Sequence, residues 1–189
     1  VALECALETQ PNVCLISEEV AAKKMSLSQI ANYIADSVEK RAANGMNFGV
    51  AIIPEGVVEF VPEFSSLIHE INDLLAGSKA DAFNALPNWK EKYAFIEKGL
   101  SKESMAVFEI LPEGIQQQLF LERDPHGNVQ VSLIESEKLF SALVKDVLAE
   151  RKAKGTYKGK FSPLHHFFGY EGRCAFPSNF DADYCYSLG

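Results

Sequence analysis

Two continuous apolar runs flank an amphipathic stretch, and their spacing constrains this chain more than any other feature. Asn12-Val13-Cys14-Leu15-Ile16 follows Pro11 and shows no polar alternation. A run of this kind predicts a strand buried on both faces. Ser26 is placed to cap the helix that follows. Leu27, Ile30, Tyr33, Ile34 and Val38 recur at helical spacing, and the helix should end before Gly45. Phe48 to Ile53 is a second continuous apolar strand, stopped by Pro54. Strand, helix, strand at this spacing is a βαβ unit of a parallel sheet. Such sheets bind ligands beyond the carboxyl ends of their strands.

Glu55 lies at such an end, between Pro54 and Gly56. The proline stops the strand and the glycine frees the backbone, so the carboxylate is able to face a crevice and accept hydrogen bonds from hydroxyl groups. A strand-end carboxylate in water fits the same position.

The texture changes at about residue 63. Phe64, Leu67, Ile68, Ile71, Leu74 and Leu75 form one amphipathic face. Trp89 to Leu100 predicts a short helix, and Ser101 starts another in an S-x-x-S pattern. Gln116 to Arg123, a turn-rich tip at residues 124–128, and Val129 to Ile134 read as a β-hairpin. Residues 135–154 return to helix through Leu139, Leu143, Val147 and Leu148, and Phe161 to Phe168 reads as a last strand. The expected fold class is therefore α/β. Residues 1–62 and 135–189 form one parallel layer, and residues 63–134 form a mostly helical insertion containing the hairpin. There is no internal repeat.

Composition narrows the function classes. A chain of 189 residues that is 47% hydrophobic buries a real core. Its net charge of −8 argues against nucleic acid, whose binding depends on Lys and Arg against phosphates. Charge is uneven: 8 acids and 4 bases in residues 1–60, 11 and 6 in 61–134, and 7 and 8 in 135–189. The least acidic third suits an anionic ligand, although lysines on one exposed helix give the same count. Four cysteines lack CxxC spacing, and no apolar run is long enough to span a membrane. No stretch of these 189 residues reads as a signal peptide, and no N-x-S/T acceptor occurs among them. A reduced, cytoplasmic setting with no membrane contact is the expectation.

That last third ends in His165-His166-Phe167-Phe168-Gly169-Tyr170-Glu171-Gly172-Arg173. Arginine offers a planar fork of donors and keeps its charge, which suits a phosphate. Gly172 admits close backbone approach to a ligand. A strand end delivering Tyr170 to Arg173 into a loop makes a cradle for a phosphorylated small molecule, and a solvated surface turn fits the same residues.

His165 and His166 are general-base candidates by type, one facing each side of the sheet, but a strand histidine is more often structural. Neither sits in an H-x-E or HExxH pattern, so a zinc site is rejected. Glu18-Glu19 has no third ligand in view and reads as acids at a helix entry. Lys152, Lys154, Lys158 and Lys160 fit either a phosphate-attracting patch or a solvated helix end. Met25, Phe48 and Phe60 read as core.

The stretch from Tyr170 to Arg173, continued by Cys174-Ala175-Phe176-Pro177-Ser178-Asn179-Phe180-Asp181, resembles the sugar-phosphate loop of pyrophosphate-dependent phosphofructokinases, most closely their long form. Three further segments match in order. Ala2 to Leu7 resembles the helix after that family's Met-Gly-Arg motif, and Ile16 to Val20 resembles the next strand end. Val50 to Phe60 resembles the segment carrying the sugar-binding glutamate. Nothing matches the family's Gly-Asp-Asp, Thr-Ile-Asp or Met-Gly-Arg motifs. The resemblance therefore implies a C-terminal-side piece of a larger enzyme, inactive alone.

The resemblance also implies a reaction, namely phosphoryl transfer from diphosphate to fructose 6-phosphate, giving fructose 1,6-bisphosphate. Glu55 would meet the sugar hydroxyls, with Tyr170, Glu171, Gly172 and Arg173 around the 6-phosphate. Of these, Glu171 would line the site through its backbone, since its charge repels a phosphate. No catalytic residue and no metal ligand is expected in this chain. The base is an aspartate outside it, and so are the ligands of the Mg²⁺. A homo-oligomer is expected. An ATP-dependent enzyme of the same fold, or a non-catalytic fragment using residues 63–134 as an interaction module, are the alternative readings. A shared crevice requires Glu55 and Arg173 on one edge of the sheet, about 10 Å apart.

Overall fold

The protein is described here from a computed structural model, which covers residues 1–76, 78–121, 123, 128–131, 134–169 and 178–189. In chain order the elements begin with α1 (Ala2–Thr9), β1 (Val13–Cys14), α2 (Ser17–Lys23), α3 (Leu27–Ala43) and β2 (Ala51–Ile52). A short 3-10 helix (Val57–Phe60) leads into α4 (Pro62–Leu74), α5 (Ser78–Asn84), α6 (Trp89–Gly99), α7 (Lys102–Ile110) and α8 (Glu113–Leu121). The chain closes with α9 (Ser136–Ala153) and α10 (Asn179–Leu188). The described architecture is mostly helical around a small parallel sheet.

The βαβ unit forms, but with two-residue strands, and the run before β2 is not buried: Phe48 and Val50 are exposed, as is Phe60, so neither phenylalanine is core. β1 and β2 are parallel, in the register Val13↔Ala51 and Cys14↔Ile52. The Leu15 N–H extends the ladder to the Ile52 carbonyl at 3.0 Å. Between them α3 starts in a full capping box. The Ser26 hydroxyl accepts from the Gln29 N–H, and the Gln29 side chain accepts from the Ser26 N–H. Its inner face buries Leu27, Ile30, Ala31, Ile34 and Ala35.

α9 packs along α3, and one guanidinium joins them. Arg151 donates to Glu39 and to Asn32, each at 2.8 Å, and pairs with Asp36 at 2.7 Å. Its partners on α3 are spaced so that all three fall on the helix face turned toward α9.

α4 is the most connected helix. Phe64, Leu67, Ile68, Ile71 and Leu74 are buried along one stripe, and its polar residues reach its neighbours. The Glu63 carboxylate accepts from the Leu27 N–H at 2.7 Å, at the start of α3. Glu70 accepts from both the Ser101 N–H and the Ser101 hydroxyl, at 2.8 and 2.7 Å, at the start of α7. The Asn72 side-chain oxygen accepts from the Val129 N–H and from Arg123, both at 3.0 Å. Aromatic rings fill the space beyond: Phe108 meets Phe120 edge-on at 5.7 Å, and Phe83 lies 5.4 Å from Phe120.

Two expected elements are corrected. Residues 113–121 are helix, not the first arm of a hairpin, because Ile115, Leu119 and Phe120 recur at helical spacing and all three are buried. Among the described residues the hairpin shows one antiparallel bridge, Arg123 with Val129. Phe161 to Phe168 does not form a strand. Leu164, Phe167 and Phe168 are exposed, and the described sheet has two strands. A strand exists through its ladder partners, and a parallel one also needs cover on both faces. Pro163 further removes one ladder donor. Among the described residues no helix is long and apolar enough to cross a membrane.

The Glu70 cap makes stability depend on pH. Burial opposes the charged form, but the Ser101 and Ser104 hydrogen bonds outweigh it and hold the carboxyl below the ordinary 4.5. A carboxylate with a depressed folded pKa adds stability above its unfolded pKa and loses it as pH falls through the folded one. Glu70→Gln should therefore melt below the parent at pH 7, and the gap should close as pH drops below about 4.5. Thermal denaturation across that range checks this, and a gap independent of pH would contradict it.

Candidate functional site at the carboxyl edge of the sheet

Because β1 and β2 are parallel, both chains leave the sheet at one edge. β1 runs through Leu15 and Ile16 into α2. A cleft of about 360 Å³ opens there, lined in part by Cys14, Ile16, Glu19, Gln29 and Tyr33. Glu19 ion-pairs with Lys23 across one turn of α2, so the Glu18-Glu19 pair serves the helix start as read from the sequence. Burial, with a smaller contribution from nearby Cys5, pushes the Cys14 thiol pKa up. Among the described residues no three His, Cys, Asp or Glu side chains converge as a metal site would need.

β2 runs through Ile53 and Pro54 to Glu55, which is half-buried in a turn. Several contacts fix the backbone of this turn. The Pro54 carbonyl accepts from the Val57 N–H at 3.2 Å, and the Gly56 carbonyl accepts from the Glu59 N–H at 3.1 Å. Val57, Val58 and Val61 just beyond are fully buried and pin the 3-10 helix to the core. The Glu55 carbonyl itself accepts from the Ser136 hydroxyl at 3.0 Å. Ser136 opens α9 and is only 2% exposed. Nothing in the sequence ties Ser136 to Glu55 across 81 positions, and a serine opening a helical pattern reads only as a cap.

Gly56 plays a smaller part than its sequence context suggests. Its φ is −94°, open to any residue, and an added Cβ would come no closer than 4.0 Å to a neighbouring atom. Pro54, not Gly56, sets the exit of the strand.

Tyr170, Glu171, Gly172 and Arg173 lie outside the described residues, and so does the spacing of Glu55 to Arg173. The approach to them is described. Gly169 has a φ of +50°, the left-handed region that glycine enters without strain. His166 and Phe168 meet ring to ring at 6.4 Å, as neighbours two apart in extended chain do. The His165 Nε2 lies 3.4 Å from the Ser141 hydroxyl on α9. Both histidines are exposed, so the expectation of a buried strand around them is not met. Lys154 pairs with Glu150 on its own helix, which takes one member out of the lysine patch.

Glu55 stands at the carboxyl edge of the parallel pair, where sheets of this kind bind ligands. The relatives that comparison with known proteins finds are named as phosphotransferases. Over all 189 residues the chain is 54% identical to the pyrophosphate--fructose 6-phosphate 1-phosphotransferase of Treponema pallidum (strain Nichols). It is 53% identical to that of Entamoeba histolytica and 42% identical to the alpha subunit of the Solanum tuberosum enzyme. The resemblance read in the motifs thus runs through the whole chain. The chain spans about a third of the length of these relatives. No protein-family model matches it.

The geometry at Gly56 leads to a direct expectation. Gly56→Ala should leave the thermal midpoint equal to or slightly above the parent's, a gain of up to about 1 kcal/mol from a stiffer unfolded chain. Calorimetry checks it, and a clear loss of stability would show that the turn needs glycine.

Proposed function

We propose that this chain is the fructose 6-phosphate side of a diphosphate-dependent 6-phosphofructokinase. The observation that carries the reading is Glu55. It stands at the carboxyl edge of the parallel pair, in the segment that matches the family's sugar-binding glutamate. The names of the relatives support diphosphate over ATP as donor.

In the proposed reaction the sugar's 1-hydroxyl oxygen bonds to the terminal phosphorus of diphosphate. The bridging P–O bond breaks and orthophosphate leaves. The hydroxyl proton passes to an aspartate outside this chain. Such transfer depends on positioning and on charge stabilisation. Glu55 accepts hydrogen bonds from the sugar hydroxyls. Tyr170 and Arg173, with the backbone of Glu171 and Gly172, hold the 6-phosphate. Mg²⁺, on ligands outside this chain, would neutralise charge on the transferring group.

The finer fold belongs to the same proposal. Residues 1–62 and 135–189 form the phosphofructokinase-like layer, and residues 63–134 are inserted into it. The bond from the Ser136 hydroxyl to the Glu55 carbonyl, which joins the two segments of the layer across residues 63–134, supports the division. The alpha and beta subunit names of the plant relatives support an oligomer. We place the enzyme in the cytoplasm, where the free thiols of Cys5, Cys14 and Cys185 persist.

Steady-state kinetics on the full-length enzyme test the site. Glu55→Gln should raise the KM for fructose 6-phosphate about tenfold or more and leave that for diphosphate in place. A collapsed thermal midpoint would show that Glu55 is structural. Arg173→Ala should cost on the order of 2–4 kcal/mol in sugar-phosphate affinity. If neither KM nor turnover with fructose 6-phosphate moves, the phosphate assignment fails.

A further inference from the structure

We infer that Ser136 is a positioning residue for the sugar site, acting through the backbone of Glu55. This inference rests on the reading of Glu55 given above. A hydroxyl carries one proton, and Ser136 has two carbonyls within reach. Glu55 lies at 3.0 Å and Ile134 at 3.4 Å, so the nearer oxygen takes the bond. The serine is 2% exposed, so removing its hydroxyl takes a partner from a part-buried carbonyl.

The bond reaches the turn from outside it. The Pro54 carbonyl and the Gly56 carbonyl are each held within the turn, by Val57 and Glu59. The Glu55 carbonyl is held from outside it, by a residue 81 positions away. The bond restrains the peptide plane that follows the Glu55 Cα, and so the backbone from which the side chain starts.

The donor is itself immobile. Ser136 sits in the first turn of α9, and Leu139, Phe140 and Val144 seat that helix in the core. Arg151 ties its far end to α3. α3 in turn belongs to the crossover between β1 and β2, so the frame that fixes Glu55 is tied to the sheet. A displacement of well under a hydrogen-bond length at a positioned group is enough to weaken binding or slow transfer.

The test uses the full-length enzyme with Ser136→Ala, Glu55→Gln and the double variant. Ser136→Ala should raise the KM for fructose 6-phosphate by about 3- to 10-fold. The KM for diphosphate should stay within twofold. In the Glu55→Gln background the same substitution should add little, because it acts through Glu55. Three outcomes overturn the inference. One is an unchanged KM for fructose 6-phosphate in a Ser136→Ala enzyme that melts like the parent. Another is a parallel loss in both substrates' constants together with a lowered melting point, which marks a structural serine. The last is a full additive effect in the double variant. If Glu55→Gln alone leaves the sugar KM untouched, the reading of Glu55 falls and this inference falls with it. If Glu55→Gln raises that KM and Ser136→Ala does not, only the inference falls.

Discussion

The start of every helix leaves backbone donors without partners, and in this protein α4 supplies partners for two of them from its own side chains. Glu63 takes the first N–H of α3, and seven positions on Glu70 takes Ser101 at the start of α7. A spacing of seven is close to two helical turns, so both carboxylates leave α4 on nearly the same side. Each also brings negative charge to the positive end of a helix dipole. The contacts fix where α3 and α7 begin relative to α4, while the apolar stripe from Phe64 to Leu74 fixes how closely they pack. The sheet edge inherits its position from this arrangement, because α3 is the crossover between the two strands.

Much of the helical content was readable because periodicity is a local property. The Ser26 cap, the α3 and α4 stripes and the Ser101 cap follow from residues within one or two turns of each other. Gln116 to Arg123 misread as strand because a short apolar run is ambiguous between the two periods, and burial of Ile115, Leu119 and Phe120 together decided for helix as far as Leu121. Phe161 to Phe168 misread for a different reason. Its composition suits a strand, but strand formation depends on partners that composition does not encode.

The candidate site divides in the same way. The exit of β2 at Pro54 and the placement of Glu55 beyond it were legible, since proline acts on its own neighbours. The role given to Gly56 was not supported, because a glycine's freedom matters only where the chain adopts a positive φ, and here it does not. Ser136 could not be read from the sequence at all. Its partner lies across α4 to α8, and only packing brings the two together.

That meeting has a consequence for how the protein can vary. The polypeptide between Glu55 and Ser136 starts and ends at groups joined by one hydrogen bond. The entropy of closing a loop grows only with the logarithm of its length, about 0.6 kcal/mol for a doubling. Residues added in an exposed turn of that span therefore leave the Glu55–Ser136 contact nearly undisturbed. The helices are different ground, since Phe83, Ile96 and Phe108 are fully buried. Room for change in length lies in the connections between helices, while the helices and the edge at Glu55 share one packed frame.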